Sequence, residues 1–456
     1  MSWKQKRYFL PATLACGVAL AALLPGLDMD GPGGAGVAAQ QGGENVSEKQ
    51  KEVMESRKVD SLRSSVYEDI AAAQTALEEG EPKDKKEAIE DLNDLLEDDL
   101  NDYERGIVEQ IFATIAIDEG NYPEAIRRFQ NILALESVPV SLDITSLQAL
   151  GQLYLAEEQY DKSIEMIKEW LTFQANPGPQ PYIWLAQAYY GMENYEKILE
   201  TTNTAIELSR QQGAPIQENW YLLQRLAHFE LGNMEKVTGV LELLAVNWDK
   251  PEYWKQLSAA YSELEQPDKQ LAAMEVAYRR GFLDKESELK NLAQLYLFHE
   301  VPIKAAWVLE EGLEKGIIEE TGKNYALLGQ SYLNAEELEK AEDPLRNAAQ
   351  MQEDGELWMR LGQVFVEREK WGEAIPSLQK AASSDDLDEA GYAYMLLGQA
   401  YFNTDQFEKA KEQFRLAMRR DATEKGARQW IQHTNSEVKR RQQLTEYYGE
   451  NAGGGL

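Results

Sequence analysis

Apolar residues recur at helical spacing along most of this chain. In residues 355–382 large apolar side chains and small residues occupy fixed positions on two successive segments: Trp358, Leu361, Gly362 and Phe365 on the first, Ala374 and Leu378 on the second. Apolar residues three and four positions apart lie on one face of a helix. Gly and Pro are sparse in the middle of the chain, and no run of alternating β-branched residues predicts a strand. The pattern therefore predicts an all-α protein.

The same order of residues returns every 33 to 38 residues. The small residue that follows the Leu of the first segment marks the register: Gly151, Ala186, Ser258, Ala293, Gly329, Gly362 and Gly398. Less regular units lie near residues 112–129 and 220–232, and residues 59–95 form a weak further pair. One helix pair cannot bury both of its apolar faces, so neighbouring pairs must stack. We expect an α-solenoid of about nine to ten helix pairs.

This pattern resembles the tetratricopeptide repeat (TPR) family, whose signature is an aromatic residue, Leu, Gly and Tyr, followed by Ala and a large apolar residue. The resemblance implies a right-handed superhelical array that binds another protein. We expect one continuous repeat array over residues 105–422. Before it, residues 40–104 should form a long helical stripe over 47–79, ending at Gly80, and a capping pair. After it, residues 423–456 should form a polar capping helix to Tyr447 and a mobile tail.

The N-terminus has the order of an export signal. Lys4, Lys6 and Arg7 precede an apolar run from Tyr8 to Leu24, and small residues lead to Ala39. This order predicts a secretory signal peptide over residues 1–39 and a periplasmic protein. Two alternatives remain open. The apolar run approaches the length that spans a bilayer, so it could stay as an inner-membrane anchor, and cleavage could fall earlier, near residues 19–22.

Charge and composition narrow the classes of partner. The chain carries 46 Lys+Arg against 79 Asp+Glu, a net charge of −33, which repels phosphate backbones and predicts no nucleic-acid binding. The only cysteine, Cys16, lies in the N-terminal apolar run, so the folded body holds no disulfide. Membrane contact is expected only through a partner or through an uncleaved anchor.

Residues for catalysis are few. The three histidines, His228, His299 and His433, fall in different repeats without a metal-binding spacing. No phosphate-binding loop or nucleophile motif occurs. The sequence therefore predicts no enzyme, no cofactor and no metal site.

One recurrence exceeds what packing requires. The residue after the small position is glutamine in six units: Gln152, Gln187, Gln294, Gln330, Gln363 and Gln399. In a TPR array this position faces the concave groove, and a primary amide can pair with both the N–H and the C=O of an extended peptide. Apolar residues lie three positions further on: Leu155, Tyr190, Leu297, Leu333, Val366 and Phe402. We expect these rows to bind a partner protein or peptide, although glutamine is also simply a good helix former.

A narrower resemblance covers residues 218–316. Its phrases are Glu218-Asn219-Trp220-Tyr221-Leu222-Leu223-Gln224-Arg225, Tyr253-Trp254-Lys255-Gln256-Leu257-Ser258, Asn291-Leu292-Ala293-Gln294-Leu295-Tyr296-Leu297 and Lys304-Ala305-Ala306. They are similar to periplasmic TPR proteins that accompany Ton-type energy-transducing systems, which implies an accessory role near an inner-membrane complex. The alternative is an assembly factor of the cell envelope that self-associates through residues 47–79 and leaves the groove empty.

Export generates the first testable prediction. Because the charged, apolar and small-residue segments stand in order, we expect the mature chain to begin at Gln40. Mass spectrometry of the native protein should find this N-terminus. A full-length chain in the membrane fraction would instead establish the anchored alternative.

Overall fold

The computed structural model describes residues 46–384, 387 and 390–452. Within these residues there are 22 helices and no strand, apart from an isolated antiparallel bridge between Val46 and Gln174. None of the described helices is long and apolar enough to cross a bilayer. The all-α prediction is confirmed. The predicted signal segment 1–39 and the end of the tail, 453–456, lie outside the described residues.

The chain divides into two compact units, the first ending at Trp248. The helices of the first unit are α1 (Glu48–Ser56), α2 (Ser64–Glu79), α3 (Pro82–Glu97), α4 (Asp102–Asp118), α5 (Tyr122–Leu133), α6 (Val140–Ala156), α7 (Tyr160–Thr172), α8 (Gln180–Gly191), α9 (Tyr195–Gln212), α10 (Glu218–Glu230) and α11 (Met234–Trp248). From α2 onward they form five antiparallel pairs, each packed on the next, while α1 packs on α6.

The second unit begins at Asp249. Its helices are α12 (Pro251–Glu263), α13 (Pro267–Arg279), α14 (Glu286–Phe298), α15 (Pro302–Glu314), α16 (Gly322–Asn334), α17 (Leu338–Gln352), α18 (Gly355–Glu367), α19 (Trp371–Ala382), α20 (Ala390–Asn403), α21 (Phe407–Ala417) and α22 (Glu424–Ala452). These are five further pairs and a final helix, so the described residues hold ten pairs, as expected. The bounds that we expected for the repeat array, residues 105–422, stay a prediction.

Each pair closes where the small residue of its first helix meets the second helix. A Cβ added to Gly362 would lie 2.5 Å from Leu378 Cδ2, and one added to Gly398 would lie 2.4 Å from Phe414 Cε1. The facing residue is sixteen positions later in both cases. Such distances leave no room for even a methyl group. The small residues predicted to be structural therefore are so, and they fix the register of the array.

The turn inside nine of the ten described pairs contains a left-handed residue that is usually acidic. The residues with positive φ at this position are Glu158, Glu193, Glu265, Glu300, Glu336, Glu369 and Asp405, with Gly120 and Gly232 at the equivalent turns. The next N–H then reaches back to a carbonyl of the first helix, as from Glu337 to Tyr332 at 2.9 Å. This bond satisfies a terminal carbonyl and offsets the cost of positive φ. The carboxylate stands just before the second helix, where the helix dipole favours negative charge.

A lysine of the second helix lies over the tyrosine ring of the first. Its ammonium is 5.2 to 5.9 Å from the ring centroid in five pairs: Lys162 over Tyr154, Lys269 over Tyr261, Lys304 over Tyr296, Lys340 over Tyr332 and Lys409 over Tyr401. The spacing is eight residues each time, a signal present in the sequence that our reading missed. Each contact contributes about 0.5–1 kcal/mol at an exposed site.

The helical stripe expected over residues 47–79 is two helices separated by an extended segment, residues 57–63, which we call the strap. Backbone groups of the strap bond to distant parts of the chain: Asp60 N donates to Ser137 O at 3.0 Å, and Asn101 Nδ2 donates to Ser61 O at 2.8 Å. These long-range bonds replace the helical ones, which local apolar spacing could not reveal. Val59, assigned to the stripe, is 45% exposed.

Arg63 fixes the strap to the first unit. Its Nε and Nη2 donate to the fully buried carboxylate of Glu104 at 2.8 and 2.6 Å, and its backbone N donates at 2.9 Å. Burial raises the pKa of Glu104, but the bonds from Arg63 and Asn101 outweigh burial and leave the pKa below its ordinary value.

The glycine contact yields a matched prediction within one helix pair. Gly362→Ala should destabilise the protein by about 1–3 kcal/mol, because the new methyl group would overlap Leu378. Gly372→Ala, in open space on α19, should instead stabilise by up to about 1 kcal/mol through helix propensity. Chemical denaturation checks both. Equal stability of the two variants would show that the register of this pair is wrong.

The strap yields a prediction with a pH dependence. Glu104→Gln should cost about 1–3 kcal/mol at neutral pH, because Arg63 loses its charged acceptor. Since the folded pKa of Glu104 lies below the ordinary 4.5, its contribution is present above that value and is lost as pH falls further. The difference in the free energy of unfolding between variant and wild type should therefore become smaller in acid. Glu97→Gln, at an exposed site, is the control and should match wild type at every pH. A gap independent of pH would contradict the assignment.

Candidate functional site

Four of the six glutamines lie on successive first helices of the second unit. Gln294, Gln330, Gln363 and Gln399 belong to α14, α16, α18 and α20, and we call them the amide row. Gln294 is exposed and the other three are half-buried. The side-chain amides of Gln294, Gln363 and Gln399 make no hydrogen bond to any other described residue. Their donors and acceptors are therefore open to a ligand.

Gln330 differs because its amide is used inside the protein. Its Nε2 donates to Asn334 Oδ1 at 2.6 Å, and its Oε1 accepts a hydrogen bond from Arg360 Nη1. Arg360 lies on the next first helix, α18, so this amide ties two neighbouring pairs together. A ligand would have to compete with these bonds.

The glutamines of the first unit do not extend the row equally. Gln152 is only 5% exposed, and Leu155, three residues on, is 3% exposed. Both lie on α6, where 12 of the 17 residues are buried. A partner could reach Gln152 only if the packing of α6 changed, and its role in binding stays a prediction. Gln187 is half-buried, and Tyr190 is 38% exposed on the same helix, α8.

Two further rows flank the amide row in the second unit. Three residues after each glutamine lie Leu297, Leu333, Val366 and Phe402, and four residues before lie Lys290, Ala326, Met359 and Met395. Positions three and four residues apart share one helix face. All eight flanking residues are half-buried. None of these twelve positions, three rows of four, carries a carboxylate, although the chain holds 79 Asp+Glu. We call this surface the amide face.

Phe402, the last residue of its row, packs against aromatic rings of α21 and α22. Its ring centroid lies 5.6 Å from that of Trp430, 5.5 Å from Phe407 and 5.1 Å from His433. Trp430 also stacks on Phe414 at 5.5 Å and 18°. Phe402 is half-buried because α22 lies against its ring, and its contact with a partner stays a prediction.

The C-terminal helix is more than the polar cap that we expected. It runs to Ala452, beyond the predicted end at Tyr447, and its inner face buries Ala427 and Thr434 completely. Trp430 follows Tyr394 by 36 residues, as Tyr394 follows Trp358. The helix thus begins as the first helix of another repeat, and this spacing could have predicted it.

A cavity of about 290 Å³ lies at this end of the amide face. Gln363 and Gln399 of the amide row line it, with Met395 of the flanking row. Tyr392 and Leu396 of α20 and Ala422, Thr423 and Gly426 beside α22 complete the wall. Only Gln363 and Gln399 were expected from the sequence, because α22 brings the other residues of the lining together.

Several titratable groups with shifted pKa values join neighbouring helices of the second unit. Burial, aided by Glu275, raises the pKa of Tyr296 to about 12. Tyr332 donates to Glu310 at 2.8 Å, and burial followed by this bond raises its pKa further. Lys304 pairs with Glu275 at 3.0 Å across two pairs. The twelve positions of the amide face include one charged side chain, Lys290, and the glutamines there are neutral hydrogen-bonding groups.

The family model of the tetratricopeptide repeat matches residues 326–388 and 359–425. This span runs from α16 into the start of α22 and contains the glycine contacts and most of the amide row. Residues 326–425 are therefore similar to the tetratricopeptide repeat. No curated protein matches the chain.

Several solved structures are similar to parts of the chain. MamA from Desulfovibrio magneticus is 21% identical, covers 37% of this chain and 93% of its own, with a TM-score of 0.30. The TPR2AB domain of yeast Sti1, whose structure is titled a complex with pHSP90, is 16% identical. The match covers 58% of this chain and 99% of that domain, with a TM-score of 0.33. YrrB, whose structure is titled a TPR protein with an unusual peptide-binding site, is 18% identical. The match covers 43% of this chain and 96% of YrrB, with a TM-score of 0.33. Likeness at this level says nothing about what this chain binds.

The repeat register continues outside the matched residues. In the first unit a Cβ added to Gly151 would lie 2.7 Å from Ile167 Cγ1, again sixteen positions later. The apolar stripe of α2 is also internal, because Val66, Ile70 and Ala73 are buried in a core with Leu92 and other residues. Self-association through residues 47–79 would therefore have to use other side chains of that segment.

Proposed function

We propose that the protein is a non-enzymatic interaction scaffold that binds an extended segment of a partner protein along the amide face. The observation that carries this proposal is the amide row with three open amides. The backbone of an extended segment presents alternating N–H and C=O groups, and a primary amide can serve either. In a TPR array this side of the first helices faces the groove.

The surroundings of the row support an uncharged or weakly acidic segment. Leu297, Leu333 and Met359 provide apolar surface beside the amides, and the rows hold no carboxylate to repel a carbonyl or an acidic side chain. Lys290 pairs with Glu286 at 3.2 Å, so its charge is partly neutralised. Backbone pairing by amides, combined with modest apolar contacts, suits recognition of an extended chain.

The cellular setting belongs to the same proposal. Export rests on the predicted signal over residues 1–39, and an accessory role beside a Ton-type complex rests on the narrower resemblance of residues 218–316. Both stay predictions from the sequence. The scaffold function itself does not depend on them.

The test replaces the three open amides, Gln294, Gln363 and Gln399, with Ala. Stability should remain within about 0.5 kcal/mol of wild type, because these side chains make no internal bond and Ala is the better helix former. Partner affinity should fall between about tenfold and a thousandfold, since each lost bond is worth about 0.5–1.5 kcal/mol. The measurement is capture of the native partner, followed by titration of the isolated pair.

The matched control makes the same change on second helices, at Gln270, Gln350 and Gln413. It removes three amides from α13, α17 and α21, away from the first-helix face, and should leave affinity within about twofold. A photo-crosslinking residue at Met359 should capture the partner, whereas one at the exposed Trp307 of α15 should not. Equal capture by both triple variants would assign binding to another surface.

A further inference from the structure

The cavity at the C-terminal end of the amide face is a formed feature of the fold. Its roof, α22, is held by the stack of Trp430 on Phe414 and by an ion pair of 2.7 Å between Arg441 and Asp405. On the other side, a Cβ added to Gly391 would lie 2.6 Å from Thr423 Oγ1, so α20 meets the start of α22 without a gap. The space therefore persists between two closely packed helices.

The residues that line the cavity favour an uncharged side chain. None of its residues is an Asp, Glu, Lys, Arg or His, and Tyr392 is the only one that can ionise. Met395 and Leu396 supply apolar walls. The amides of Gln363 and Gln399 bond to no other residue that the structure describes, and they lie at the edge that continues into the amide row. A charged side chain would lose its hydration here without gaining a counter-charge. An apolar side chain gains in proportion to the area that it buries.

The volume limits the occupant to one large side chain. About 290 Å³ lies at the lower end of the range for small-molecule sites, which begins near 300 Å³. Resting on the proposed function, we infer that the cavity anchors one bulky uncharged side chain, Leu, Met or Phe, of the bound partner segment. Gln363 and Gln399 pair with the backbone on either side of this anchor. The cavity thereby fixes the register of the segment on the amide face.

The described part of the C-terminal helix leads away from the cavity. From Gly426 at the cavity, α22 runs 26 residues to Ala452, about 39 Å at 1.5 Å per residue. A segment of a partner protein fits the cavity, because the uncharged lining matches an uncharged side chain and two glutamines of the amide row lie at its edge.

Methyl NMR of the full chain tests the assignment at the cavity itself. Methionine is labelled at its ε-methyl group, and the Met395 signal is assigned with Met395→Leu. The probes are blocked nonapeptides of Ser, Thr and Gly with one central Leu, Met, Phe, Ala, Lys or Glu. At about 5 mM peptide, which reveals a dissociation constant near 1 mM, the Leu, Met and Phe probes should shift the Met395 signal. The Ala, Lys and Glu probes should not, and Met351, exposed on α17, should stay unchanged with all six.

Gly426→Leu places a leucine side chain at the wall of the cavity. A Cβ at Gly426 would lie 3.4 Å from Met395 Cε, an ordinary contact, and its helix gains propensity. Probe and partner affinity should fall at least about tenfold. Gly372→Leu is the matched control, since this helical glycine has nothing within 4 Å of an added Cβ. It should leave both affinities within about twofold, and thermal unfolding should show that both variants are folded.

Each of these measurements either supports or overturns the proposed anchor. Undiminished binding by Gly426→Leu, or a Met395 signal that no apolar probe moves, overturns the anchor. If the triple glutamine variant then still loses the partner, the scaffold proposal stands and only the anchor fails. A Met395 signal that changes on removal of residues 1–45, or with protein concentration, would place another part of this chain or a second copy in the cavity. Either result overturns the partner assignment.

Discussion

The architecture depends on the close approach of two helices at a residue without a large side chain. Gly151, Gly362 and Gly398 each lie against the apolar residue sixteen positions later, at a distance that a methyl group would violate. This contact sets the angle and register of a pair, and the aromatic residues on either side then fill the space against the next pair. Because a single pair leaves apolar surface exposed, the stability of each pair comes largely from its neighbours. A change at one contact should therefore be felt locally.

The turns decide where the negative charge goes. The left-handed residue that closes the first helix is acidic in seven pairs, although Gly would adopt that conformation with less strain. The hydrogen bond to the preceding helix and the dipole of the following one both offset this strain. These seven turns each carry a carboxylate, while the rows of the amide face hold none. A strongly acidic protein thus has one surface of its first helices without negative charge.

The two ends of the described residues pack against the repeat pairs in different ways. At the start, the strap replaces helical hydrogen bonds with bonds to distant residues, and the buried Glu104 carboxylate holds it through Arg63. At the end, α22 enters the register of a further repeat, covers Phe402 and Phe414 with Trp430, and leaves a cavity beside Gln363 and Gln399. The capping helix therefore both completes the core and shapes the end of the candidate binding surface.

The sequence by itself determined the helices, their pairing and the register of the array, because these follow from apolar spacing and from small residues at fixed intervals. It also located the amide row, since Gln294, Gln363 and Gln399 stand one position after the small residue. Only the tertiary structure decided which of the glutamines are open. Gln152 is enclosed within α6, Gln330 is taken by Arg360 and Asn334, and the strap breaks a stripe that looked like one helix. Burial, side-chain pairing and cavities depend on which distant segments are in contact. The spacing of residues within one segment does not determine those contacts.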